Sequence, residues 1–311
     1  MTESRSFSAA RLFTLLGAFW LAAGAYYKLF HGNPGDLPQP YFEWFGWLGS
    51  KDALYIMAIA AEIFVIVLAV LRPKLGWIAL LGTFLFFEAI LAPLIASGAE
   101  SCGCFGGDLD VKPATMASID GVLILGLLAT RPWKAAGMKP VAPTAIVGLL
   151  LVAAIIAPII SLRVTDDSPT IAEIEQAHED GVEVALPRFV TLTPPEWIGQ
   201  SIYDTPLANW LPNIGDLPTD GTWVFWRSTC DHCELHLIEL AGAPLTGEPI
   251  VLIRVNEKTD TPENRIVNVL PQGGHVYEAE LTAEIDWVLS TPADMQLIGG
   301  EVIEARENIE H

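Results

Sequence analysis

The sequence predicts a mixed fold: an all-α membrane bundle of five helices, then a smaller α/β domain outside the bilayer. Three observations predict it. The first half carries five long apolar stretches, the charge balance changes abruptly near Leu162, and the second half alternates β-prone with helix-prone runs. With 51% hydrophobic residues and a mean hydropathy of +0.41, the 311-residue chain is too apolar for an ordinary soluble enzyme and long enough for two domains.

The stretches are Leu12–Phe30, Ala53–Leu71, Leu75–Ile95, Ala114–Thr130 and Ala145–Leu162. At about 1.5 Å per residue most can cross a hydrocarbon core of roughly 30 Å. The first lacks a small-residue cleavage site, so it reads as a retained span. Arg5, Arg11, Arg72, Lys74, Arg131, Lys134 and Lys139 fall on one side, and Lys28, Lys51 and Lys112 on the other. This bias predicts a cytoplasmic N-terminus in a bacterial inner membrane, with the C-terminal domain periplasmic. The aromatic loop Gly32–Lys51 then lies outside and reads as an interfacial anchor or a quinone-facing lid.

Residues 1–161 hold 10 basic and 10 acidic side chains, whereas residues 162–311 hold 7 and 27. A formal charge of −20 on the second part argues against nucleic acid or anionic lipid as its partner. The organisation predicted is a membrane domain over 1–162, a polar linker over 163–181 and a folded domain over 182–311. Within the last, Thr222–Trp226, Pro249–Val255, Ile285–Leu289, Met295–Ile298 and Val302–Ala305 read as strands, with a turn at Gly299-Gly300. Cys230–Ala241 reads as a helix.

The four cysteines occur as two pairs, Cys102/Cys104 and Cys230/Cys233, too few for a disulfide-stapled scaffold and spaced for redox or metal chemistry. Cys230-Asp231-His232-Cys233 stands where a strand gives way to a helix. Unpaired N–H groups and the helix dipole stabilise a thiolate there, so Cys230 is the expected nucleophile and Cys233 the resolving thiol. A static disulfide, or a metal site using His236 and His232, are the alternatives. Cys102-Gly103-Cys104 lies in the outer loop between the third and fourth spans. Its disulfide would close only a tiny loop, which favours reactivity over stapling. Glu62, Glu88 and Asp120 fall inside predicted spans, where a carboxylate must be protonated, paired or set against a polar cavity. Lys28, near a helix end, either pairs or snorkels.

Over Val182–Glu307 the sequence resembles the thioredoxin superfamily. Ser290-Thr291-Pro292 heads the closing hairpin, and the resemblance makes Pro292 the cis-proline that packs against the cysteine pair. Thr229 stands where that family usually has tryptophan. His232 between the cysteines is similar to the arrangement in periplasmic disulfide oxidases and leans toward oxidation. Over about residues 9–130, Cys102-Gly103-Cys104-Phe105-Gly106 with Gly24–Lys28 resembles the methylamine-utilisation MauE family and DoxX-like membrane proteins.

Those resemblances imply a membrane-bound thiol–disulfide oxidoreductase that matures an exported, cysteine-containing client. By analogy with the quinone-linked disulfide-forming proteins of the DsbB and vitamin K epoxide reductase kind, they imply a membrane quinone and no covalently bound cofactor. A membrane-held assembly factor without turnover, and a soft-metal-handling protein, are the rival readings.

Overall fold

The structure is a computed structural model, which describes residues 9–99, 102, 111–130, 139–163, 186–242, 247–307 and 309. Cys104, Arg5, Arg131, Lys134 and all of the expected 163–181 linker after its first position lie outside the described residues, and that first position, Arg163, is helical. The chain divides into two compact units, Met1–Val164 and Thr165–His311, a helical region and an α/β region.

The first unit contains α1 (Ala9–Phe30), α2 (Gln39–Phe45), α3 (Lys51–Leu71), α4 (Pro73–Ser97), α5 (Pro113–Thr130) and α6 (Thr144–Arg163). Four of these, α1, α3, α4 and α5, are long and apolar enough to cross a membrane; α6, the expected fifth span, is apolar over the shorter stretch Thr144–Ile159. Local signals set the ends. Ser50 caps α3 by accepting from the Ala53 amide, Pro73 opens α4, and Gly98, left-handed at φ 75°, closes it. Helices α1, α3, α4 and α5 enclose a core of Leu21, Trp77, Leu80, Phe84 and Leu127. Gly76 permits the closest approach: a Cβ there would stand 2.1 Å from the Ala69 Cα.

Arg11 and Arg72 stand at one end of this bundle. Arg11 donates to the Val70 carbonyl at 3.0 Å, and Arg72 donates to Thr144 Oγ1 at 2.7 Å. Helix α6 starts at that end, where the Val141 amide bonds the Leu71 carbonyl, and runs back along α3. It therefore finishes at the end that holds Cys102, Lys112 and the start of α5.

Among its described residues the second unit has seven strands: β1 (Phe189–Thr191), β2 (Gly221–Trp226), β3 (Ile250–Val255), β4 (Val276–Leu281), β5 (Asp286–Val288), β6 (Ala293–Ile298) and β7 (Glu301–Glu307), with helix α7 (Asp231–Gly242) after β2. Five form one sheet in the order β4-β3-β2-β6-β7. β2, β3 and β4 are parallel, and β6 and β7 antiparallel. A short parallel pair, β1 and β5, stands apart.

Because side chains alternate along a strand, the sheet buries both faces. Trp223, Phe225, Val251, Ile253 and Met295 meet Trp197, Ile202, Leu207 and Trp210 from the segment ahead of β2. Prolines 194, 195, 206 and 212 recur in that segment, so it winds as four short 3₁₀ helices rather than one α-helix. On the other face Val224, Trp226 and Leu252 meet Cys233 and Leu237 of α7. The same face is closed by Val267 and Leu270, from the crossover between β3 and β4 that carries no described helix.

Candidate functional site

Strand β2 is central, with β3 on one side and β6 on the other, so its C-terminal end is held from both flanks. The chain leaves it through Arg227, Ser228 and Thr229 and enters α7 at Asp231, which places Cys230 at the helix start. The Ile266 and Val267 amides both donate to the Ser228 carbonyl, tying the β3–β4 crossover to this turn.

Cys230 and Cys233 form a disulfide with Cα atoms 5.2 Å apart. The Cys233 amide donates to Cys230 Sγ at 3.1 Å, the local N–H supply that stabilises charge on that sulfur when it is reduced. Cys230 is half-buried and Cys233 fully buried, an asymmetry suited to attack by the first and resolution by the second. Cys230 Sγ also lies 3.6 Å from the Thr291 carbonyl oxygen, and the Thr291–Pro292 peptide is cis. The residue before Pro292 thus meets Cys230 through its carbonyl, while His232 sits exposed on the first turn of α7.

A buried cation organises this edge, and nothing in its sequence surroundings marks it out. Arg227 donates to the carbonyls of Trp287 at 2.7 Å and Leu289 at 2.8 Å, and to Thr291 Oγ1 at 3.2 Å. Its Nε pairs with Glu257 at 3.0 Å, and the other Glu257 oxygen accepts from Thr229 at 2.9 Å. Arg227 thereby fixes the segment leading to Pro292 against the turn leading to Cys230. Burial pushes its guanidinium below the ordinary value, and the Glu257 and Asp260 carboxylates oppose that shift.

His236, one turn beyond Cys233, is buried with Nε2 2.9 Å from Asp294 Oδ1. Among the described residues no group of three or more His, Cys, Asp or Glu side chains could hold a metal ion.

In the helical unit Cys102 is buried at 2% exposure, against Leu91 and Met116, with Trp20, Tyr27 and Val111 around it. Trp20, Leu91 and Met116 also line a cavity of about 60 Å³ whose remaining wall includes Lys28, Glu62 and Tyr41. Lys28 does not snorkel: its Nζ donates to Glu62 Oε1 at 2.7 Å, and both side chains are buried. Trp20 Nε1 donates to Asp120 Oδ1 at 3.2 Å. One oxygen of each acid, Glu62 Oε2, Asp120 Oδ2 and Glu88 Oε1, is buried without a hydrogen-bond partner among the described residues.

The aromatic loop is more than an interfacial belt. Its helix α2 brings Tyr41 to the cavity wall and sets Phe45 5.8 Å from the Phe86 ring. Burial, with Glu62 nearby, pushes the Tyr41 hydroxyl above its ordinary range.

No protein-family model matches this chain, and no curated protein or solved structure matches it either. The class it defines is accordingly structural: a helical region with membrane-length helices, and an α/β region with a cysteine pair at disulfide distance.

Proposed function

We infer that the protein is a membrane-bound thiol–disulfide oxidoreductase of the thioredoxin-like kind. Cys230/Cys233 exchanges with thiols of an exported client, and Cys102/Cys104 exchanges with Cys230/Cys233. The observation that carries this reading is the Cys230–Cys233 disulfide at the start of α7, with Cys230 against the carbonyl that precedes a cis-proline. The strand order β3-β2-β6-β7, with the pair after β2 and the proline before β6, supports a thioredoxin-like fold for the unit. Helix α6 ends at the Cys102 end of its bundle, which favours both pairs on one side of the bilayer, periplasmic by the basic-residue bias.

The cavity beside Cys102 is the proposed contact for a membrane quinone as final acceptor. Reducing a quinone takes two electrons from a dithiol and two protons, and Lys28, Glu62, Tyr41 and the Trp20–Asp120 pair put proton-carrying groups around that space. Tethering would give the interdomain step a local concentration of roughly millimolar order.

A trapping experiment tests the relay. In Cys233→Ala variants with Cys102 or Cys104 replaced in turn, Cys230 should be caught as a disulfide to the remaining loop cysteine. With a protease site placed within residues 165–181, the adduct appears on non-reducing electrophoresis as two fragments held together. Complete separation in both variants, under oxidising conditions in which the wild type turns over, would rule the relay out.

A further inference from the structure

We propose that His236, held by Asp294, is the proton acceptor for Cys233 when that thiol ionises to resolve a mixed disulfide on Cys230. This rests on reading Cys230/Cys233 as an exchanging pair. Cys233 is 0% exposed and packs among Val224, Trp226, Leu237, Leu252 and Val267, all apolar. An apolar surround disfavours a thiolate, so the resolving step needs a base within the protein.

Among the described residues the geometry supplies a base on that face, His236 with Asp294 behind it. Residues three apart on a helix share a face, and Cys233 and His236 are both on the buried side of α7. Asp294 stands directly opposite Val224 in the β2–β6 ladder, so the two side chains leave the sheet on the same face, the one that α7 covers. Val224 packs in the cluster with Cys233 while Asp294 holds His236 Nε2, which places the histidine one turn from the resolving sulfur, at the helix–sheet seam. A carboxylate on Nε2 fixes the ring and the tautomer that carries its basic lone pair on Nδ1.

The other charged groups nearby are Arg306, opposite Asp294 on β7 and held by Glu304, and the exposed His232 and Glu239 of α7. From the β3–β4 crossover the contributions on this face are the apolar Val267 and Leu270.

In the step itself Cys233 passes its proton to His236, and the thiolate attacks Cys230 Sγ. The Cys230–Cys233 bond forms as the bond from Cys230 to the client sulfur breaks. The electron pair leaves with the client thiolate, which is protonated from water. Run backwards, the imidazolium protonates Cys233 as it departs.

The test uses the full-length chain in detergent, with Cys102 and Cys104 replaced by serine, reduced and mixed with excess of an aromatic disulfide that releases a coloured thiolate. The first release reports attack by Cys230, and the second, independent of reagent concentration, reports resolution by Cys233. His236→Gln should slow the second release at least ~10-fold, toward the 10²–10⁴-fold typical of general bases, and flatten its pH dependence, with the first within about twofold. Asp294→Asn should slow the second release by a smaller factor and shift its pH profile. A second release at the wild-type rate and pH profile in His236→Gln overturns the proposal, and so does equal slowing of both phases, which marks a merely structural residue. If the unaltered pair gives no first release at all, the exchange reading itself fails.

Discussion

The two cysteine sites sit in opposite surroundings. Cys230 stands at a strand-to-helix junction crossed by hydrogen bonds, with the Cys233 amide and the Thr291 carbonyl at its sulfur and the Arg227–Glu257–Thr229 network bracing the turn that leads to it. Cys102 is enclosed by Trp20, Leu91 and Met116, beside acids that each keep one oxygen without a hydrogen bond among the described residues. At the first site Cys230 Sγ and the terminal nitrogens of Arg227 have defined partners, which suits a fixed attack geometry, although Trp226 Nε1 and Arg227 Nε make no hydrogen bond among the described residues. The second leaves buried polar capacity spare, which suits a place where protons or a polar ligand group come and go.

Removing the nucleophile gives the largest contrast between them. Cys230→Ser should abolish exchange with a reduced client peptide in single and multiple turnover alike. Cys102→Ser should leave the first turnover, carried by an already oxidised Cys230/Cys233 pair, and remove the later ones that need a membrane acceptor. Rapid-quench thiol counting separates the two. Sustained turnover in Cys102→Ser with only membrane quinone as oxidant would place the electron exit elsewhere.

The buried cations sharpen the comparison at the level of stability. Breaking a buried ion pair by removing one partner costs about 3–5 kcal/mol, whereas replacing both by apolar groups is often neutral. Lys28→Met should therefore lower the melting temperature in detergent more than the double change Lys28→Met/Glu62→Leu. Arg227→Gln should destabilise the second unit by about 3 kcal/mol, because two carbonyls, a hydroxyl and Glu257 lose a charged donor together. Glu257 is a third exposed, so Glu257→Gln should cost about 1 kcal/mol or less. Equal losses from Arg227→Gln and Glu257→Gln would mean that the carbonyl clamp adds nothing.

Elements with a strong local pattern are legible in the sequence alone. The apolar stretches form helices whose ends lie within three residues of those the pattern predicts, three of them coinciding, and the run ending at Trp226 forms β2 with α7 shortly after it. Strand β4 escapes the pattern because Val-Tyr-Glu-Ala-Glu-Leu lies at the sheet edge, where half its side chains meet water and the run looks polar. Helix α2 is hidden among prolines and glycines, and its packing on Phe86 and the cavity wall, both remote in sequence, supports it.

At the sites, the cysteines and Pro292 carry recognisable spacing, but their supports do not. Arg227 reaches partners 60 to 64 positions away, His236 finds Asp294 58 positions on, and Lys28 finds Glu62 after 34. Pairings of that separation are decided by sheet register and helix packing. The one usable hint is chemical: a lysine and three acids in apolar stretches demand partners.

The smallest expected effect bears on how burial sets the strength of a single hydrogen bond in the two regions. Trp20→Phe keeps the ring against Cys102 and deletes the one described donor to Asp120, a residue with no solvent exposure whose other oxygen already lacks a partner among the described residues. Thr229→Val deletes a donor to Glu257, which is partly solvated and keeps its pairing with Arg227. Leaving a buried acceptor unsatisfied costs about 1–3 kcal/mol, whereas an exposed one recovers most of the loss from water. Trp20→Phe should therefore lower the denaturation midpoint of the full-length protein by an amount equivalent to about 1–2 kcal/mol, and Thr229→Val by about 0.5 kcal/mol. Adding Asp120→Asn to Trp20→Phe should return part of the first loss, since an amide cannot place an unsupported charge in that buried position. A larger cost from Thr229→Val than from Trp20→Phe would show that Asp120 draws its support from another group, and the contrast between a buried acceptor and a partly solvated one would have to be redrawn.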